Sequence, residues 1–177
     1  MTPDHRLPYS EIVRVNEIGA GLTRDLVPDD AARARIVKAL NLASLASLEA
    51  EMTISPAHVG WKLSGRILAV AEQVCGITLE SLPVRIDERF IIDLVEASRT
   101  ADDEATEVEV TLEDDAPDVI EESRIDLGQY AVEQLALALD PFPRKPGAEF
   151  VQPAEPAEIS PFAVLKQFRL PSEDGKS

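Results

Sequence analysis

Seven consecutive residues, LEAEMTI from Leu48 to Ile54, alternate without a break. Leu48, Ala50, Met52 and Ile54 fall on one side, and Glu49, Glu51 and Thr53 on the other. A side-chain period of two fits a strand with one buried and one wet face, and it fits no helix. A slip of one residue would expose every apolar side chain, so the pattern also constrains register. The chain then turns at SPAH and alternates again in VGWKLSGRIL, with Val59, Trp61, Leu63 and Ile67 on one face and Lys62, Ser64 and Arg66 opposite. Two such runs joined by a short turn predict an antiparallel hairpin. AVAEQVCGITL is expected to continue extended, and VRIDERFIIDLVEA gives another long strand with Val84, Ile86, Phe90, Ile92 and Leu94 on alternate positions. The centre of the chain reads as a meander of at least three strands.

The flanks carry other periods. YSEIVRVNEI, from Tyr9 to Ile18, is β-branched enough for a strand, and Gly19-Ala-Gly21 after it reads as a turn. VPDDAARARIVKALN has Pro and acids at its start and Ala32, Ile36, Val37 and Leu40 at helical spacing. Asn41 stands where a left-handed stop would sit, so a helix is expected from Asp29 to Leu40. A second helix is expected from Leu127 to Leu139. Asp126 is its N-cap, Gln129 stands where a capping box wants it, and Leu127, Ala131, Leu135, Ala138 and Leu139 lie along one side. Pro141 and Pro143 then force an extended, stiff exit. That exit either displays Arg144 and Lys145 on a rigid segment or lets them complement the negative helix end.

Together these elements predict an α+β fold: a mainly antiparallel sheet, curled towards a barrel, packed by two helices. With 177 residues, one domain over residues 9–147 is expected, between a flexible tail at 1–8 and a Pro-rich C-terminal tail at 148–177. In that tail, SPFAVLKQFRL spaces Phe162, Leu165 and Phe168 at three, as a short helical face that packs on the core or docks elsewhere.

Charge is unevenly placed along the chain, whose net value is -16. From Asp102 to Asp126 there are twelve acids against Arg124 alone, a local charge of -11. Part of this block, EVEVTLE, alternates Val108, Val110 and Leu112 with glutamates, so a strand is expected inside an acidic insert at about 99–118. Such a block repels a phosphate backbone, which argues against DNA as a partner. It serves either as a solvated loop or as a docking surface for a basic protein through Asp102, Asp103, Glu104, Glu113, Asp114 and Asp115. Candidate RNA contacts are Arg66, Arg85, Arg89, Arg144 and Lys145, without an interleaved aromatic platform.

Catalytic material is sparse. His5 and His58 are the only histidines, in an expected tail and a turn, which is poor material for a Ser-His-Asp or Cys-His site. Cys75 is the single cysteine, read as a small buried hydrophobe on a strand. It allows no internal disulfide and no thiolate zinc site. GAGLTR has Arg24 where a dinucleotide fingerprint needs its last Gly, and EDDAPD lacks calcium-loop spacing. No metal or cofactor is expected. No run approaches the roughly 20 apolar residues of a membrane span, and the start lacks a secretory pattern, so a cytoplasmic location is expected.

The order of segments resembles a known family. CGITLESL, VRIDERFIIDL, the acidic insert, IDLGQYAVEQLALALDPFPRKPG and the late SPFAVLKQF together look like the YceD family of large ribosomal RNA subunit accumulation proteins. The likeness runs from about Tyr9 to Phe168 and is most specific from Ile125 to Gly147. Some members carry two cysteines around the position of Cys75 and more after the proline exit, which suggests a metal in them. Here Gly76, Ile77 and Thr78 follow Cys75, and no later cysteine exists. The resemblance implies a non-enzymatic cytoplasmic factor for accumulation and processing of large-subunit ribosomal RNA, with no catalytic residues to transfer. In many bacteria the family's gene lies beside that of a small basic ribosomal protein. A ribosomal protein or large-subunit precursor is therefore the expected partner. Direct RNA binding through Arg66, Arg85, Arg89, Arg144 and Lys145 is the alternative, and a metal-dependent nuclease using the acids is a remote one.

Overall fold

The computed structural model describes residues 7–96 and 116–150. In chain order it contains β1 (Ile12–Arg14), α1 (Val15–Ile18), β2 (Leu22–Leu26), α2 (Asp30–Ala39), β3 (Ser44–Pro56), β4 (Trp61–Val74), β5 (Ser81–Glu96), β6 (Asp118–Ile120), β7 (Arg124–Asp126) and α3 (Leu127–Ala138). Five strands form a sheet in the order β2-β3-β4-β5-β6, antiparallel except for the β5–β6 pair, while β1 and β7 make a separate antiparallel ribbon. The fold is α+β as expected. The sheet is open rather than barrel-like: its edge strands have five and three residues against 13 to 16 in the middle, too little to meet and close it.

The predicted hairpin is β3–β4, with Pro56 opposite Trp61, Ile54 opposite Leu63 and Ala50 opposite Ile67. Leu48, Ala50, Met52, Ile54, Leu63 and Ile67 are all buried on the inner face. Each large side chain so buried stabilises by roughly 1.5–3 kcal/mol. Exposed ion pairs contribute little. The sheet is thus held from its inner side, and its outer face is free to vary in chemistry. The turn depends on Gly60, which has a φ of 71°, and whose Cβ, if added, would lie 1.9 Å from the Leu94 carbonyl oxygen. Val59 belongs to this turn and is exposed, not on the buried face expected for it.

Both long helices cover the inner face. Asp29 caps α2 by accepting a hydrogen bond from the Ala32 amide at 2.7 Å, and Ala32 and Ile36 are buried. Asn41 has the left-handed φ of 52° expected of a helix stop. Asp126 caps α3, accepting from the Gln129 amide at 3.2 Å. The Gln129 side chain does not complete a capping box; it donates to Glu133 at 2.7 Å instead. Leu127, Ala131, Val132 and Leu135 face the core.

Several expectations change. The strand predicted over Tyr9–Ile18 shrinks to the three residues of β1. Glu17 turns back to accept from the Arg14 amide at 3.2 Å, and one helical turn, α1, follows. Strands β2, β6 and β7 add to the expected meander, with five, three and three residues. Cys75 lies in a turn just beyond β4, not on a strand. The strand expected at EVEVTLE, the helix expected at residues 160–170 and residues 1–6 of the N-terminal tail lie outside the described residues.

Candidate functional site

The residues proposed for RNA contact fall into two groups. Arg66 on β4 and Arg85 and Arg89 on β5 share the outer face of the sheet, because their positions have the parity opposite to the buried set. Arg66 sits directly opposite Arg89 on one side and Glu51 on the other. Two like charges in register repel. Asp87 offsets this repulsion: Arg66 donates Nε and Nη2 to its two carboxylate oxygens at 2.7 Å each, a bidentate pair. The hydrogen bond from Arg66 holds the Asp87 carboxyl below its usual range, and Asp87 in turn raises Arg66. Lys62 similarly lies 3.5 Å from Asp93. The outer face is a mosaic of both signs rather than a basic patch. Among its arginines, Arg85 and Arg89 make no ion pair among the described residues.

Arg144 and Lys145 belong to a different place. The proline exit is fastened to the turn between β4 and β5. Gln73 Nε2 donates to the Asp140 carbonyl at 2.8 Å, the Gly76 amide to the Pro143 carbonyl at 2.9 Å, and the Lys145 amide to the Cys75 sulfur at 3.3 Å. The Lys145 ammonium donates to Glu80 at 2.9 Å, with Thr78 Oγ1 donating to the same oxygen at 2.9 Å. Lys145 therefore neither complements the end of α3 nor stands free; it locks the exit to the sheet. Glu80 lies below its ordinary pKa because of these hydrogen bonds, from Lys145 first.

Cys75 is fully buried under this lock. The amides of Thr78 and Lys145 donate to its sulfur at 3.4 and 3.3 Å, and hydrogen bonding around it, from Thr78 first and then from the backbone of Lys145 and Ile77, holds its thiol down to about 6 against burial that pushes it up. The turn after β4 and the proline exit meet here, at Cys75 and Lys145. The donors do not fit a metal. Cys75 is the only cysteine, Thr78 and an ammonium–carboxylate pair surround it, and no cluster of three or more His, Cys, Asp or Glu occurs among the described residues.

Of the acidic candidates, Asp102, Asp103, Glu104, Glu113, Asp114 and Asp115 lie outside the described residues. Some of the acids that follow have structural duties. Asp118 accepts from the Tyr130 hydroxyl at 3.1 Å, and Asp126 takes the Ser10 hydroxyl at 2.6 Å and the Glu11 amide at 2.8 Å besides capping α3. His58 is exposed in its turn, and His5 lies outside the described residues. A feature absent from the sequence reading is a groove of about 1010 Å³ between α3 and the β5–β6 end of the sheet. Its hint was Leu137, which falls off the buried stripe of α3 and is 77% exposed.

These observations define an α+β protein with an open sheet, a solvated outer face of mixed charge and a helix whose exit is clamped to the sheet. The chain belongs to the YceD family, described as large ribosomal RNA subunit accumulation protein YceD, which it matches over residues 63–169, more than half its length. That description implies a role in accumulation of the large ribosomal RNA. No curated protein and no solved structure matches the chain. No helix among the described residues is long and apolar enough to cross a membrane.

Proposed function

We propose that the protein is a non-enzymatic ribosome-biogenesis factor that supports accumulation of large-subunit ribosomal RNA by binding a basic ribosomal protein or a basic patch of a precursor particle. The observation that carries this reading is the placement of charge. The sequence carries twelve acids between Asp102 and Asp126, while Arg66, Lys62 and Lys145 are already paired with carboxylates of their own surface. The surplus is negative and local, so it attracts a basic partner and raises the encounter rate without a catalytic site. Such contacts weaken with salt. The test is sedimentation of tagged protein from cell extract at low and high salt. Migration with large-subunit precursors or a ribosomal protein, lost at high salt, supports the reading. A protein that stays alone at the top of the gradient at both salts refutes stable particle binding.

Direct RNA binding is a second reading, favoured by Arg85 and Arg89, which lie on one face four residues apart without ion pairs among the described residues. It predicts that charge reversal at both abolishes RNA retention, while neutralising the acidic block leaves it intact.

A further inference from the structure

The groove between α3 and the sheet brings together exposed apolar side chains from three separate elements: Val59 of the β3–β4 turn, Ile91 of β5 and Leu137 of α3, exposed by 57%, 68% and 77%. Its charged lining is acidic alone, with Asp93, Asp118 and Glu133. A groove that mixes exposed apolar side chains with carboxylates, of which Asp93 already lies beside Lys62, fits an amphipathic segment with cationic flanks. The chain contains one such segment beyond the described residues. Residues 160–170, SPFAVLKQFRL, carry Phe162, Leu165 and Phe168 at spacing three, with Lys166 and Arg169 and no acid.

We infer that residues 160–170 dock within the same molecule into this groove, their apolar face on Val59, Ile91 and Leu137 and their cations towards the three carboxylates. Chain geometry permits it without strain. Lys145 is held in place at Cys75 and Glu80. Eight residues separate it from Leu137, so the two are at most about 29 Å apart, whereas the fifteen residues from Lys145 to Ser160 reach about 50 Å. Charge selects this occupant over the acidic stretch at 102–115, which the three carboxylates would repel. The family match, residues 63–169, contains the groove residues of β5, β6 and α3, though not Val59, and most of the segment. The inference goes beyond the proposed function and does not depend on it.

The test uses the full chain, comparing amide exchange in residues 160–170 between the native protein and the Leu137→Lys variant. Leu137 is exposed in the last turn of its helix, where a cation is favourable, so the variant keeps the fold. The expected result is protection of residues 160–170, with exchange slowed at least about tenfold relative to an unstructured chain, and that protection is lost in Leu137→Lys while the core amides of β3 and β4 keep theirs. A photo-crosslinking residue at 162 or 168 should join to β5, β6 or α3 of the same molecule. Unprotected exchange in the native chain overturns the inference. Crosslinks only between two copies, protection that rises with concentration, or crosslinks from residues 102–115 into the groove also overturn it, assigning the groove to a second copy or to the acidic segment.

Discussion

Replacing Gly128 by alanine sets two effects of similar size against each other. Alanine is better than glycine in a helix by about 1 kcal/mol, so at an open site Gly128→Ala would stabilise the protein. The site is not open. A Cβ there would lie 2.7 Å from the Ser10 Cα and 2.8 Å from the Glu11 nitrogen, backbone atoms with no rotamer to yield. Restoring a contact of 3.4 Å requires a shift of about 0.7 Å. That stretch of backbone is held by the Glu11 amide on the Asp126 carboxylate at 2.8 Å and by the Leu127 amide on the Glu11 carbonyl at 2.9 Å. Loosening one charge-assisted and one neutral bond costs about 2–4 kcal/mol, which exceeds the helix gain and leaves a net loss of about 1–3 kcal/mol. Urea unfolding followed by the fluorescence of Trp61, the single tryptophan, should show the midpoint lowered by about 1 M with an unchanged slope. An unchanged or higher midpoint would refute the packing of the N-terminal segment on α3.

Other expectations follow from the same geometry. Gly60→Ala meets the Leu94 carbonyl at 1.9 Å and a φ of 71°, and should cost about 2 kcal/mol or more in the same urea assay. Asp126→Ala removes the cap of α3 and the two bonds to Ser10 and Glu11, for a loss of about 2–4 kcal/mol by thermal unfolding. The Cys75 thiolate should appear near pH 6 by its ultraviolet absorbance, against about 8.5 for a free cysteine. Because the folded value is the lower, the thiolate stabilises the fold fully above the unfolded value, and this contribution falls as pH drops from about 8.5 towards 6. Cys75→Ala should lack that slope, and an absorbance midpoint at or above 8.5 would contradict the hydrogen-bonded sulfur.

The parts legible in the sequence were those whose signals are local. LEAEMTI could be read because one face of β3 is wholly buried, and α3 because Asp126, its apolar stripe and the prolines mark both ends within one segment. β2 leaves no such signal, being a five-residue edge strand in which Arg24 takes an inward register position opposite Met52 and breaks the alternation. β6 and β7 are three residues each and exist through distant partners, β5 and β1. β1 is shorter than its composition suggests, because Ile12, Val13 and Val15 favour a strand until the Glu17 side chain caps a helical turn at the Arg14 amide. For the site, parity alone placed Arg66, Arg85 and Arg89 on one face. That Asp87 claims Arg66 depends on the β4–β5 register, and that Lys145 closes over Cys75 depends on a contact 70 residues apart. Neither leaves a local trace.

The most direct measurement of the central claim is made in cells from which the gene has been deleted, by comparing large-subunit ribosomal RNA after return of the native chain and of a chain neutralised at Asp102, Asp103, Glu104, Glu113, Asp114 and Asp115. The account predicts that the native chain restores the RNA while the neutralised chain, although folded to the same urea midpoint, does not. Equal restoration by both would contradict it.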